Sequence, residues 1–267
     1  MMIERISGIA AILLYLVVAA WLVQRLSATQ STKHRLLMVL GFAGMFLHGV
    51  ALFNTVFTPD GLNMSFFYSV SLVGWLAAMI LLIASLTKPV HNLGIAVYPI
   101  AAVALSLQFF LRGHNIIAPA GDWQIQSHIL FSLFASSTLY LAAMQAILLH
   151  IQDSHLHKHH PGGFVRALPP LRIMESLLFE IITLGFLLLS IALVTGVVFV
   201  KDLTTGGHLH KLVLSSLAWM LFAILLYGRL RFGWRGRTAI TWTIGGFAAL
   251  VLAYFGTKLV LELILHR

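Results

Sequence analysis

The chain has 267 residues, 60% of them apolar and only 9% charged, with a mean hydropathy of +0.95. An ordinary soluble domain carries about 25% charged residues, so this composition excludes one and specifies a membrane protein. The 17 Lys and Arg against 8 Asp and Glu give a formal charge of +9, and the complete lack of cysteine excludes disulfides, thiolate metal sites, a CxxC redox pair and a cysteine nucleophile.

A helix needs about 20 apolar residues to cross the hydrocarbon core. Eight such runs are predicted: Ile6–Leu26, Leu36–Phe57, Phe66–Leu86, Leu93–Leu111, Ser127–Leu149, Leu177–Val200, Leu212–Gly228 and Ala239–Leu265. The first is too long for the apolar region of a secretory signal, and it ends in Gln24 and Arg25 where a cleavage site would need small residues. It therefore reads as a retained anchor. The longest gap, Ile151–Ser176, contains Pro161-Gly-Gly163 and Pro169-Pro170 and reads as irregular loop, too short for a soluble domain. The expected architecture is all-α: a polytopic transmembrane helical bundle of about eight spans, forming a single integral-membrane domain over residues 1–267.

Cytoplasmic loops retain positive charge. The loops after the first, third, fifth and seventh spans hold eleven cations: Arg25, Lys33, Arg35, Lys88, Lys158, Arg166, Arg172, Arg229, Arg231, Arg235 and Arg237. The opposite side holds six, Arg5, Arg112, Lys201, Lys211, Lys258 and Arg267. Both termini are thus expected on the outer, periplasmic side. The basic surplus is mostly a topology signal, so lipid is the expected partner and nucleic acid is not.

With cysteine absent, thirteen histidines are the main chemical resource. His34, His91, His150, His155, His157, His159 and His160 fall on the inner side. The tract His155-Leu-His-Lys-His-His160 reads as a solvated loop with incidental metal affinity. His48 lies well inside the second span, where an imidazole must find a partner or a cavity. Gly41 and Gly44 share its helix face and leave room for another helix or a flat ligand, so a packing role and a ligand role stand equal. His128 opens the fifth span, with Ser132 and Ser136 following at i+4 and i+8. His208 and His210 precede the seventh span, after Thr204-Thr-Gly-Gly207 and beside Lys211.

Imidazole is the usual axial ligand of haem iron, and nearby cations such as Lys211, Arg112 or Lys258 suit its propionates. Haem is therefore the cofactor that best matches His48, His128 and His210. Catalytic zinc would also need a nearby carboxylate base; Asp60, Asp122, Asp202 and Glu262 stand at no suitable spacing. Glu180, in the inner half of the sixth span, is weak support for a transport path. Lys258 and Glu262 read as a local i, i+4 pair, and Trp123, Tyr227, Trp234 and Trp242 as an interfacial aromatic belt.

The last third carries Ile182-Thr-Leu-Gly-Phe186, Thr195-Gly196, Leu217-Ala-Trp-Met-Leu-Phe-Ala223, Phe232-Gly-Trp-Arg-Gly236, Gly246-Phe247 and Tyr254-Phe-Gly256. Upstream stand Phe67-Tyr-Ser-Val-Ser-Leu72 before Trp75, and Leu133-Phe-Ala-Ser-Ser137 after His128. In these motifs the chain resembles the integral-membrane cytochrome c assembly family of haem handlers. Active members present haem on a tryptophan-rich outer segment before the penultimate span. The equivalent stretch here, Lys201-Asp-Leu-Thr-Thr-Gly-Gly-His-Leu-His210, has no tryptophan, so the pattern is closer to the family's short, eight-span branch. By resemblance His48 and His128 match two of the family's haem ligands. A third corresponds to Tyr227 and is absent, and His266 lies near the C-terminal one.

The resemblance implies a protein that binds, shelters or passes haem b toward a membrane partner without catalysing haem attachment itself. Its site residues would be His48, His128 and His210 as candidate iron ligands and Lys211 beside the cofactor. The competing expectation is a haem-free regulator or scaffold of the same fold. A small-solute transporter stands third, because the broken span pairs and internal repeat of transporters are missing.

Overall fold

In a lipid core every backbone N–H and C=O must be satisfied internally, and each apolar run does so as a helix. The computed structural model describes residues 2–27, 34–111, 113, 115–119, 121–157, 168–199 and 209–256. The helices are α1 (Met2–Ser27), α2 (His34–Val56), α3 (Phe66–Ala84), α4 (Gly94–Phe110), α5 (Trp123–His157), α6 (Leu171–Phe199), α7 (Leu209–Phe232) and α8 (Arg237–Val251). Among the described residues seven of them, α1 to α7, are long and apolar enough to cross a membrane. The eighth predicted span begins as α8 and passes into a π-helical turn at Leu252–Gly256; the rest of it lies outside the described residues.

One sequence expectation changes. The gap at Ile151–Ser176 is helical at both ends, because α5 runs on to His157 and α6 already begins at Leu171. An apolar count ends a span at the edge of the lipid core, but the helix continues into the polar interface, where Gln152 is still buried. The all-α fold expected from the sequence stands, and its helices are accompanied by a small antiparallel sheet of β1 (Phe57–Thr58), β2 (Gly61–Asn63) and β3 (Ile116–Pro119), in the order β1-β2-β3. The β1-β2 turn runs through Pro59-Asp60 into Gly61, whose φ of 138° suits glycine. Asn63 Oδ1 accepts the backbone N–H groups of Ser65 (3.4 Å) and Asn115 (3.0 Å), tying the hairpin to the chain that follows α4.

The chain divides into two compact units, Met1–Gly121 with Ser154–Pro170, and Asp122–Asp153 with Leu171–Arg267. In the first unit α1 packs on α2 and α4, and α3 on α4 and α2. Helix α1 buries Ala11, Tyr15, Val18 and Leu22, at spacings of 4, 3 and 4 along one face, while Leu13, Leu16, Val17 and Val23 point outward. Gly74 of α3 brings that helix onto the backbone of Ala101 in α4.

In the second unit the core is built from Ala135, Leu139 and Ala142 of α5, Leu178, Ile182 and Leu189 of α6, Ala218, Phe222 and Leu225 of α7, and Ala239 and Ile240 of α8. Gly185 lets Leu139 lie on α6, and Gly246 lets Phe222 lie on α8. Leu184, Leu187, Ile191 and Val194 of α6, with Val213, Met220 and Ile224 of α7, remain exposed. Water would penalise such faces, whereas hydrocarbon is as apolar as they are.

Candidate functional site

In the first unit, His48 is wholly buried. Its Nε2 hydrogen-bonds the Ser71 hydroxyl of α3 at 3.0 Å, and its Nδ1 faces the Tyr15 hydroxyl of α1 at 3.4 Å. Tyr15 meets the imidazole edge-on, with ring centroids 5.8 Å apart, and stacks on Tyr98 of α4 at 5.5 Å. The room beside Gly41 and Gly44 is taken by helices: a Cβ at Gly41 would meet Leu82 and the Tyr98 hydroxyl, and one at Gly44 would meet Leu14 and Tyr15. Both imidazole nitrogens thus face protein hydroxyls within a packed interior, the arrangement expected of a buried polar group that holds helices in register.

In the second unit His128 is set differently. It lies one and a half turns into α5, rather than at its start, and is half-buried. Its Nδ1 is 3.0 Å from the Ala192 carbonyl oxygen and 3.2 Å from Thr195 Oγ1, both on α6. The ring rests against Gly196, where an added Cβ would stand 2.9 Å from His128 Cε1. Ser132, the next residue of the predicted polar stripe, donates back to the His128 carbonyl at 2.8 Å. A carbonyl oxygen can only accept, so Nδ1 carries the proton and Nε2 keeps its lone pair. Nε2 makes no hydrogen bond among the described residues.

His210 and Lys211 occupy the first turn of α7, His210 exposed and Lys211 half-buried. The α6–α7 register is set by Trp219, whose indole N–H donates to Ser190 Oγ at 2.8 Å and whose ring stacks on Phe186 at 5.3 Å. At 1.5 Å rise per residue, His210 stands about 13 Å from Trp219, and Gly196 about 9 Å from Ser190 in the matching direction. The two histidines thus lie toward the same end of the second unit. His48 belongs to the other unit. Arg112, His208, Lys258 and His266, together with Lys201–His208 of the tryptophan-free stretch, lie outside the described residues. Among the described residues no three His, Asp or Glu side chains gather as a metal cluster.

Sequence reasoning named His128 but missed its supports as such. Thr195-Gly196 stood out only as a motif, and Ala192 contributes a backbone atom that no residue type announces. The aromatic belt also divides. Trp123 and Tyr227 are exposed, whereas Trp234 and Trp242 pack against the core of the second unit. Gly228 makes room for the Trp234 ring, and the turn that carries it is closed by Gly233 and Gly236 at φ 67° and 57°. Arg229 donates to the Trp234 carbonyl at 3.1 Å, and the Gly236 N–H donates to Glu175 Oε1 at 2.7 Å. The Gly-Trp-Arg-Gly segment is thus a fastened turn between α7 and α8, and Arg229 is a structural part of it.

Residues 36–265 match the model of the cytochrome c assembly protein family. The chain belongs to that family. It is 30% identical over 262 residues to the inner membrane protein YpjD of Escherichia coli K12, covering 97% of this chain and 99% of that protein. It is also 27% identical over 140 residues to the cytochrome c biogenesis protein CcsA of Prochlorococcus marinus NATL1A, covering 52% of this chain and 42% of that protein. A further CcsA, from Chlamydomonas reinhardtii, is 27% identical over 167 residues, or 61% of this chain and 46% of that protein. No solved structure matches. With its apolar helices and these relatives, this family member is a multi-pass protein of the inner membrane.

Proposed function

We propose that this protein handles haem b in cytochrome c assembly, holding it through His128 near the periplasmic face and passing it to a membrane partner. Family membership supports haem as the cargo, and the CcsA relatives are named for cytochrome c biogenesis. The observation that carries the reading is His128, with Nδ1 engaged by the Ala192 carbonyl and Nε2 carrying a lone pair. Histidines that ligate metals are commonly held by such a backbone acceptor.

The residues present fit a haem. His128 would hold the iron through Nε2, His210 at the same end of the second unit would be a further ligand, and Lys211 would pair with a propionate. His48 is the other imidazole the sequence offers as a ligand, and in that role it would exchange Ser71 and Tyr15 for iron. Haem, when bound, would supply a redox-active iron, and these imidazoles would be the residues that hold it. The whole chain acts as one assembly-family domain with both termini periplasmic, the orientation favoured by the eleven cations of the alternate loops.

Protein purified from a haem-sufficient host should give a positive pyridine haemochrome assay and a Soret band that shifts on reduction. His128→Ala should remove both. A second reading, a haem-free scaffold of the same fold, is favoured by the sealed surroundings of His48 and by the tryptophan-free stretch before α7; it predicts a negative assay.

A further inference from the structure

We infer that Ala192, Thr195 and Gly196 of α6 are positioning residues that fix the tautomer and plane of the His128 imidazole, so that Nε2 is presented to a metal. The identity of that metal as haem iron rests on the proposed function. The tautomer does not.

These three residues lie at i, i+3 and i+4, on one face of α6. The Ala192 carbonyl takes the Nδ1–H at 3.0 Å. Thr195 donates its own hydroxyl proton to the Ile191 and Ala192 carbonyls, at 2.8 and 3.0 Å, which leaves its oxygen as a second acceptor 3.2 Å from Nδ1. Both neighbours of Nδ1 are therefore acceptors, and a neutral imidazole with its proton there has Nε2 as its basic nitrogen. Gly196 sets the ring plane. Its missing Cβ would stand 2.9 Å from Cε1, 3.4 Å from Nδ1 and 3.6 Å from Nε2, so the imidazole lies along the glycine's open face and any side chain there displaces it. His48 has no comparable support: its two contacts are hydroxyls, which donate or accept with equal ease.

A histidine serving only to pin α5 to α6 would need the Nδ1 bond, but nothing would depend on a free Nε2. The test uses the full chain in lipid nanodiscs, labelled with ¹⁵N-histidine, with the His128 signals identified by their loss in His128→Ala. In the haem-free protein, His128 should show a protonated Nδ1 and an unprotonated Nε2, and added haem should abolish the Nε2 signal. Thr195→Val should weaken haem binding about 10-fold and Gly196→Ala about 10- to 100-fold, the range for outer partners of a ligating histidine. Thr195→Ser, which keeps the hydroxyl, should restore wild-type affinity. A protonated Nε2 in the haem-free protein overturns the inference, even if haem binds and the proposed function stands. Wild-type affinity and spectrum in both Thr195→Val and Gly196→Ala overturn it as well. If the wild-type protein takes up no haem or other added metalloporphyrin, the proposed function falls, and the metal-presenting role falls with it. Should Gly196→Ala fail to fold, the wild-type spectrum and the Thr195 pair still decide.

Discussion

His48 and His128 are the same residue type in helices of similar composition, yet one is enclosed and the other held open. His48 sits between Tyr15 of α1 and Ser71 of α3, with a hydroxyl at each nitrogen and no exposed surface. His128 is fastened at one nitrogen by a backbone carbonyl and remains half-buried. Burial alone therefore does not identify a ligand; what distinguishes the two is which atoms their nitrogens meet. Hydroxyls on both sides make a self-contained polar network, whereas an acceptor on one side leaves the other nitrogen chemically available.

Exchanging the two residues for alanine should separate these roles most sharply. His128→Ala should weaken haem binding by more than about 100-fold, beyond the loss expected for an outer partner, with little change in thermal stability. His48→Ala should do the reverse: a cavity and a stranded Ser71 hydroxyl in a packed interior should cost about 2–4 kcal/mol. That loss would be read as a lower unfolding midpoint in detergent, with haem content per folded molecule unchanged. A lost Soret band in His48→Ala would instead make His48 a haem ligand. His210→Ala tests the same choice from the other side, and should convert a six-coordinate, low-spin haem spectrum to a high-spin one, measured by visible absorption and electron paramagnetic resonance. The smallest effect should come from Tyr15→Phe, which removes one long hydrogen bond and should cost about 1 kcal/mol, seen in the same unfolding experiment.

Much of the fold was legible because lipid imposes one solution on any apolar run of sufficient length. Seven of the eight expected spans stand, among the described residues, as helices long and apolar enough to cross a membrane, and the eighth begins as α8. The features that escaped have no apolar signature. The extensions of α5 to His157 and of α6 back to Leu171 run through polar interface residues, and strands of two to four residues such as Phe57–Thr58 are too short to show any periodicity.

The site was legible in its residue types but not in its wiring. The spacing of Gly41, Gly44 and His48 correctly marked a close helix approach. It did not show that Tyr15 and Tyr98 would fill the space, because residues 33 and 50 positions away meet only through the packing of α1 and α4. For His128 the decisive partner is the Ala192 backbone oxygen, 64 residues along the chain. No side-chain pattern encodes a main-chain acceptor, so geometry alone tells the two imidazoles apart.

The central claim is that His128 holds haem, and the most direct measurement is the reduced-minus-oxidised absorption spectrum of purified wild-type and His128→Ala protein at equal concentration. A haem signal is expected in the wild type that disappears in the variant while the protein remains folded. An equal signal in both, or none in the wild type after exposure to excess haem, would contradict it.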